Sequence, residues 1–254
     1  MKRLNFDEEH EMFRDSVRRF IQSEVQPHVE DWRKAGICDK EAFRKAGDQG
    51  LLLMWADEKY GGLGIHDFRF EQIIIEEGIR YGDLGLFLSL HSRLVGPYIG
   101  ELASDSLKDR LLPKCISGET ILGIAMTEPS AGSDLSGIKS RAVRDGDDWI
   151  INGSKTYISN GINGGAFVVA ARSVPGKPHG IGLFVVEAEM EGFSRGRNLD
   201  KMGLHSQDTA ELFFENVRVP AENVLGDPEK GFYALMHFLA EERLINAAQA
   251  VTHA

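Results

Sequence analysis

The chain has 254 residues and a formal net charge of −10, from 29 Lys and Arg against 39 Asp and Glu. Apolar residues make up 42% and charged residues 27%, which excludes collagen-like, fibrous and wholly disordered chains and fits one or two globular domains. Its basic clusters are as short as Arg18-Arg19 and Arg195–Arg197, so no nucleic-acid role is expected, and no run reaches the ~18 apolar residues of a membrane helix.

Cys38 and Cys115 lie far apart without a CxxC pattern, which argues against a disulfide scaffold and a zinc module and suits a reducing compartment. The N-terminus turns from Met1-Lys2-Arg3 to the acidic Asp7-Glu8-Glu9 with no apolar signal region, so a cytoplasmic location is expected. The eight histidines are scattered, with no HExxH and no Cys/His cluster, and no metal is expected. Ser130, Ser133 and Ser136 lack a GxSxG setting, so a serine hydrolase is not expected either.

From Phe6 to about Ser117 the pattern is helical. Glu8 to Arg33 spaces Phe13, Val17, Phe20, Ile21, Val25 and Val29 near a 3.6 period. Asp39 caps a predicted helix over Glu41–Gln49, which Gly50 ends. Tyr60-Gly-Gly-Leu-Gly64 reads as a loop, and His66–Tyr81, Leu84–Leu102 and Ser104–Ser117 read as helices. The period then changes to 2. Strands are predicted over Ile121–Met126, Ser140–Arg144, Trp149–Asn152, Lys155–Ser159, Phe167–Arg172, Ile181–Val186 and Ala210–Phe214. Asn152-Gly153 reads as a type I′ hairpin turn, and the many short strands imply an antiparallel sandwich or barrel. From Pro228 the helical period returns. The chain reaches Ala254 in mid-pattern, without a stop signal.

Three segments could carry chemistry. Ile124-Ala-Met-Thr-Glu-Pro-Ser-Ala-Gly-Ser-Asp134 is a strand running into a loop of small residues and hydroxyls, which lets a ligand approach the backbone. It has neither P-loop nor GxGxxG spacing. In Lys155-Thr-Tyr-Ile-Ser-Asn-Gly161 the alternation puts Tyr157 and Ser159 on one face, suited to a flat ring. In Ala240-Glu-Glu-Arg243, Glu242 has Phe238 and Leu239 one turn before it and Ile245 and Asn246 one turn after. A carboxylate among apolar side chains has a raised pKa, fit for a general base. Taken singly, each segment also reads as an ordinary turn, a half-buried strand or a solvated acidic pair. Helix geometry does not separate Glu241 from Glu242.

In this order the segments resemble the acyl-CoA dehydrogenase family. The resemblance rests on Ala125–Asp134, Ile151-Asn-Gly-Ser-Lys155, Tyr157-Ile-Ser-Asn-Gly161, Lys201-Met-Gly-Leu204, Asp208-Thr-Ala-Glu-Leu-Phe-Phe214 and Lys230-Gly-Phe232, with Tyr60–Gly64 as a further counterpart. It implies a multidomain α+β fold: an all-α N-terminal domain (1–118), an antiparallel β-barrel middle domain (119–226), and in 227–254 the first helix of a C-terminal four-helix domain, the rest of which is expected beyond Ala254. It implies FAD, and oxidation of an acyl-CoA to the trans-2-enoyl-CoA with electrons passed to electron-transferring flavoprotein. It implies a homotetramer or homodimer at full length.

Carried onto this sequence, the family pattern places Ile124, Met126, Thr127, Gly132, Ser133, Tyr157, Ile158 and Ser159 at the flavin, with Ser133 also toward the CoA. Tyr157 stands where Trp or Phe is common, and Ser159 where Thr is common. Glu242-Arg243 resembles the minority of the family, the long-chain and isovaleryl types, that carry the base on the first C-terminal helix. Glu242 is then the base and Arg243 a substrate-side or helix-anchoring cation. The Lys230–Met236 and Gln207–Phe214 stretches look most like the long-chain type, which implies a medium-to-long acyl chain. Without the remaining helices, the chain alone is expected to hold FAD weakly. Flavin monooxygenases and oxidases share this scaffold, and a non-catalytic acyl-CoA-binding fragment is the reading from outside enzymes.

Overall fold

The computed structural model describes residues 5–83 and 85–254. Helix α1 (Glu8–Phe20) begins at Asp7, whose carboxylate accepts the His10 N–H and satisfies one of the open donors of the first turn. The helix expected to run on to Arg33 is interrupted by a π-type turn over Ile21–Val25 and a 3-10 turn over Gln26–His28 before α2 (Val29–Ala35). Pro27 is the physical reason, since it lacks an N–H and its ring crowds the preceding turn. Asp39 caps α3 (Lys40–Asp48) as its position predicts, and Gly50, at φ +68°, supplies the left-handed residue that lets Leu51 N–H close on Ala46 O.

Helix α4 (Phe68–Tyr81), capped by Asp67, runs through the middle of the helical part with Ile73, Ile74 and Ile75 buried. It also buries Glu76 and Glu77. Arg14 of α1 holds both, Nη1 to Glu76 Oε2 at 2.7 Å and to Glu77 Oε1 at 2.9 Å, and Arg18 Nε adds a bond to Glu77 Oε2 at 2.8 Å. Buried carboxylates demand such partners. A π-type segment over Leu90–Val95 leads into α5 (Gly96–Leu102), and α6 (Asp105–Ile116) follows its Ser104 cap. Of the helix expected from Leu84, the starting residue lies outside the described residues, and helical backbone begins near Leu88.

Among the described residues seven strands form one sheet: β1 (Leu122–Ala125), β2 (Arg141–Asp145), β3 (Asp148–Ser159), β4 (Ala166–Arg172), β5 (Ile181–Glu187), β6 (Phe193–Asn198) and β7 (Thr209–Val219). The order is β1-β4-β2-β3-β7-β6, with β5 on the other edge of β4. Most pairs are antiparallel, but β1 runs parallel to β4 and β2 meets β4 in parallel at Arg172, so both share one edge of that strand. β4 is buried on both faces. Ala166, Val168 and Ala170 join the core shared with the helices, while Phe167, Val169 and Ala171 join a second core with Phe184, Val186, Leu212 and Val217.

The Asn152-Gly153 hairpin is corrected. β3 is continuous over twelve residues, and the turn before it lies at Gly146-Asp147, where Asp145 pairs with Asp148 and Gly146 adopts φ +65°. At Asn152-Gly153 a bulge lies on β7, where Glu215 and Asn216 oppose Asn152. Asn152 exchanges hydrogen bonds with Asn216, which itself adopts φ +53°. Gly153 is needed because a Cβ would lie 2.3 Å from Ser140 Oγ. Strand β6 lies outside the strands predicted from the sequence, because Phe193-Ser-Arg-Gly-Arg-Asn198 carries too few apolar residues to show a period of 2.

Helix α7 (Gly231–His253) returns across the molecule. Its first residue is glycine because a Cβ would sit 2.8 Å from Ile181 O, so the helix starts directly on β5.

Candidate active site

Strand β1 leaves the sheet at Met126 and Thr127 and passes beside the middle of β3. Thr156 N–H donates to Thr127 O at 3.0 Å, and Thr127 Oγ1 donates to Thr156 O at 2.5 Å. Asn160 Nδ2 donates to Leu122 O at 2.9 Å. These bonds bring the end of β1 alongside Thr156–Asn160, so the first two sequence segments meet. Ile124 and Met126 are half-buried against the helical core, and Thr127 is half-buried. Beyond them Glu128 and Ala131 exchange backbone hydrogen bonds around Pro129-Ser130, and Gly132 and Ser133 stand exposed. A Cβ at Gly132 would meet nothing within 4 Å, so the approach there is open.

Between Lys155 and Ile158 strand β3 carries a second bulge, in which Thr156 and Tyr157 oppose Glu211 of β7. Tyr157 adopts φ +58°, a left-handed conformation that costs a bulky residue on the order of 1–2 kcal/mol. The bulge turns its ring outward, 73% exposed, while Ile158 enters the sheet core and Ser159 is half-buried. Strained backbone that holds a large aromatic in solvent is a functional-site signature.

Beneath the two segments lies an ion pair that the sequence does not announce. Lys155 is fully buried and donates from Nζ to Glu128 Oε1 at 2.8 Å and to Met126 O at 3.0 Å. Glu128 also accepts the N–H groups of Lys139 at 2.7 Å and Ser140 at 3.0 Å. Burial alone would raise the Glu128 carboxyl, but Lys155 and these donors hold it below the usual range, while burial brings Lys155 down to about 8. The pair ties Met126, the Glu128 turn and β3 into one unit.

On α7 the residues Leu235, Phe238, Glu242, Ile245 and Gln249 recur at intervals of three and four and line one face. Leu235 and Ile245 are fully buried, and the Phe238 ring lies 4.3 Å from that of buried Tyr98 on α5. Glu242 is therefore a carboxyl in an apolar stripe, and its Oε2 is buried with no hydrogen-bond partner. Burial raises its pKa, with the Arg243 charge opposing. Glu241, one position earlier, lies in an ion pair with Arg93, Nε to Oε1 at 2.6 Å. The structure thus separates the two glutamates that helix geometry alone left equivalent. Arg243 is exposed. The β4–β5 connection also reaches this helix, with His179 stacked on Phe232 at 4.2 Å.

A sequence model of the acyl-CoA dehydrogenase N-terminal domain matches residues 7–119, and one of the middle domain matches residues 123–217. The chain belongs to the acyl-CoA dehydrogenase family. It is 48% identical to the mitochondrial long-chain specific acyl-CoA dehydrogenase of Sus scrofa over 250 residues, 97% of this chain and 58% of that protein. The acyl-CoA dehydrogenase of Geobacillus kaustophilus superposes with a TM-score of 0.95 at 49% identity, over 99% of this chain and 67% of that one. A glutaryl-CoA dehydrogenase of Mycobacterium smegmatis in complex with FADH2 superposes with a TM-score of 0.88 at 30% identity, over 97% of this chain and 62% of that one. This chain therefore spans about 58% of the length of the curated relative. Among the described residues of this family member, no group of three or more His, Cys, Asp or Glu could hold a metal, and no helix is long and apolar enough to cross a membrane.

Proposed function

We propose that the chain supplies the flavin face and the base of an FAD-dependent acyl-CoA dehydrogenase. Its substrate is a medium- or long-chain acyl-CoA, its product the trans-2-enoyl-CoA, and electron-transferring flavoprotein its electron acceptor. The observation that carries this reading is Glu242, a half-buried carboxyl with an orphaned oxygen on the inward stripe of α7.

The residues fit FAD. Tyr157 presents a strained, outward aromatic face to a flat ring. Thr127 spends its hydroxyl proton on Thr156 O and keeps its lone pairs as acceptors, with Ser159 close by on β3. Gly132 and Ser133 form an open, small-residue approach for phosphates, with Ser133 serving the CoA as well. Ile124, Met126 and Ile158 supply the apolar backing. FAD held by these residues would supply the hydride acceptor for the reaction.

Glu242 removes the α-proton. That proton is a weak acid, so the base must be poorly solvated to be strong enough, and its burial provides this. Phe238, one turn before Glu242 and packed on buried Tyr98, contributes apolar surface to the same face of the helix. Arg243 offsets part of the desolvation, and as an exposed cation it is free to serve the substrate side or to anchor the helix. The full protein is proposed to be a homotetramer or homodimer. A reducing compartment such as the cytoplasm suits Cys38 and Cys115, both buried free thiols.

Anaerobic titration of the FAD-saturated protein with acyl-CoAs of increasing length tests the reading. Flavin absorbance should bleach with medium and long chains, and Glu242→Gln should abolish the bleaching. Bleaching unaffected by Glu242→Gln removes Glu242 as base. Rapid reoxidation by air would instead indicate an oxidase or monooxygenase.

A further inference from the structure

Arg93 lies on the Leu90–Val95 segment that precedes α5, far from the flavin face in sequence. Its side chain is 14% exposed and has two anchors: Nη2 donates to His66 O at 3.2 Å, and Nε lies 2.6 Å from Glu241 Oε1 in an ion pair whose N–H direction does not complete a hydrogen bond. The pair forms one wall of an open cleft of about 700 Å³, lined also by Trp55, Tyr60, His66 and Pro97. Glu71 of α4 is buried and accepts the Ser89 Oγ hydroxyl at 2.5 Å, within reach of the Arg93 charge. Burial raises Glu71 to about 7, against the Ser89 bond and the Arg93 charge.

Neighbouring residues of an α-helix point about 100° apart. Fixing Glu241 therefore fixes the rotation of α7 about its own axis, and with it the direction of Glu242. The need for such a fix is visible in the inward stripe. Glu242 and Gln249 both carry buried polar atoms with no hydrogen-bond partner, and orphaned polar atoms favour a roll that returns them to water. The open cleft gives the Glu241 side of the helix room to roll into. A hydrated Glu241 would assist that motion, and a Glu241 held by Arg93 opposes it.

We propose that Arg93 and Glu241 are positioning residues that lock the rotation of α7 and hold Glu242 in its unsolvated position. The proposal rests on Glu242 being the base.

The test uses the FAD-saturated protein and its variants Arg93→Met, Glu241→Gln and the charge swap Arg93→Glu/Glu241→Arg. Rapid anaerobic mixing with acyl-CoA gives the rate of flavin bleaching and, from its concentration dependence, substrate affinity. Each single variant should bleach about 10- to 100-fold more slowly, with affinity changed less than about threefold, the signature of a lost orienting contact. The swap should recover most of the lost rate. Amide hydrogen exchange provides a readout independent of flavin: the single variants should exchange faster across 238–249, and the swap should restore protection. Single variants that bleach within twofold of the parent, or that lose rate and affinity together without rescue by the swap, overturn the proposal. Glu242→Gln is run alongside. If it bleaches at the parental rate, the assignment of the base itself fails, which is distinct from a Glu242-dependent enzyme indifferent to Arg93.

Discussion

Lys155 Nζ lies 2.8 Å from Glu128 Oε1, and both side chains are almost wholly buried. The pair sits directly under the β1 exit, because the same ammonium also donates to Met126 O. Removing one partner strands the other charge in the interior. Lys155→Met should therefore destabilise the protein by about 3–5 kcal/mol in urea unfolding. Adding Glu128→Gln to it should recover more than half of that loss, since the amide oxygen can still accept a backbone N–H from Lys139 or Ser140. An additive double variant would show that the two residues are not coupled.

Tyr157 separates backbone strain from ligand contact. Tyr157→Gly and Tyr157→Ala remove the same ring, but only glycine adopts φ +58° without a Cβ penalty. The glycine variant should be about 1 kcal/mol more stable than the alanine variant. Both should bind FAD about tenfold more weakly by fluorescence titration, the size of one lost aromatic stack. Unchanged FAD affinity would remove Tyr157 from the flavin face.

The pH dependence of bleaching follows from Glu242. A base must be ionised to act, and burial raises this carboxyl. The bleaching rate should therefore rise with pH, with a midpoint above the ordinary 4.5 of a glutamate. Arg243 opposes the rise, so Arg243→Met should move the midpoint to higher pH. A midpoint that moves down on losing this cation would contradict the assignment.

His91 predicts an acid sensitivity at the junction of helices and sheet. Its ring is fully buried; Nδ1 accepts Leu122 N–H at 3.0 Å, so Nε2 carries the proton shared with Cys115 O at 3.0 Å. Burial lowers its pKa from 6.5 to about 4. The folded state thus holds a neutral imidazole while the unfolded chain takes up a proton. The contribution is complete above pH 6.5 and is lost as pH falls toward 4. At about 1.4 kcal/mol per unit, the parent should lose roughly 2 kcal/mol more stability than His91→Asn between pH 7.5 and 5. Urea unfolding at the two pH values measures it, and equal losses would refute it.

What could be read in advance was local. Asp39 as a cap, Gly50 as a helix stop and the small-residue loop at Gly132-Ser133 each follow from a few neighbouring residues. The misreading of Asn152-Gly153 has the opposite cause. That dipeptide suits a tight turn, and the β7 bulge that instead keeps it inside a continuous strand includes Asn216, which lies 64 residues away. Nothing in the strand around Lys155 marks it as buried until Glu128 is beside it, and Pro27 interrupts a helix whose apolar period runs straight through it.

The amino-acid pattern by itself determined the order of helices, strands and helix, and it singled out the small-residue loop, the Tyr157 strand and the Glu241-Glu242 pair as the segments proposed to carry the chemistry. Periodicity, caps and turn chemistry act over a few residues, so they survive in a linear reading. Only the tertiary structure decided which glutamate faces inward. Burial and charge pairing depend on what the rest of the chain places alongside: Arg93 takes Glu241, while the apolar stripe beside Tyr98 encloses Glu242.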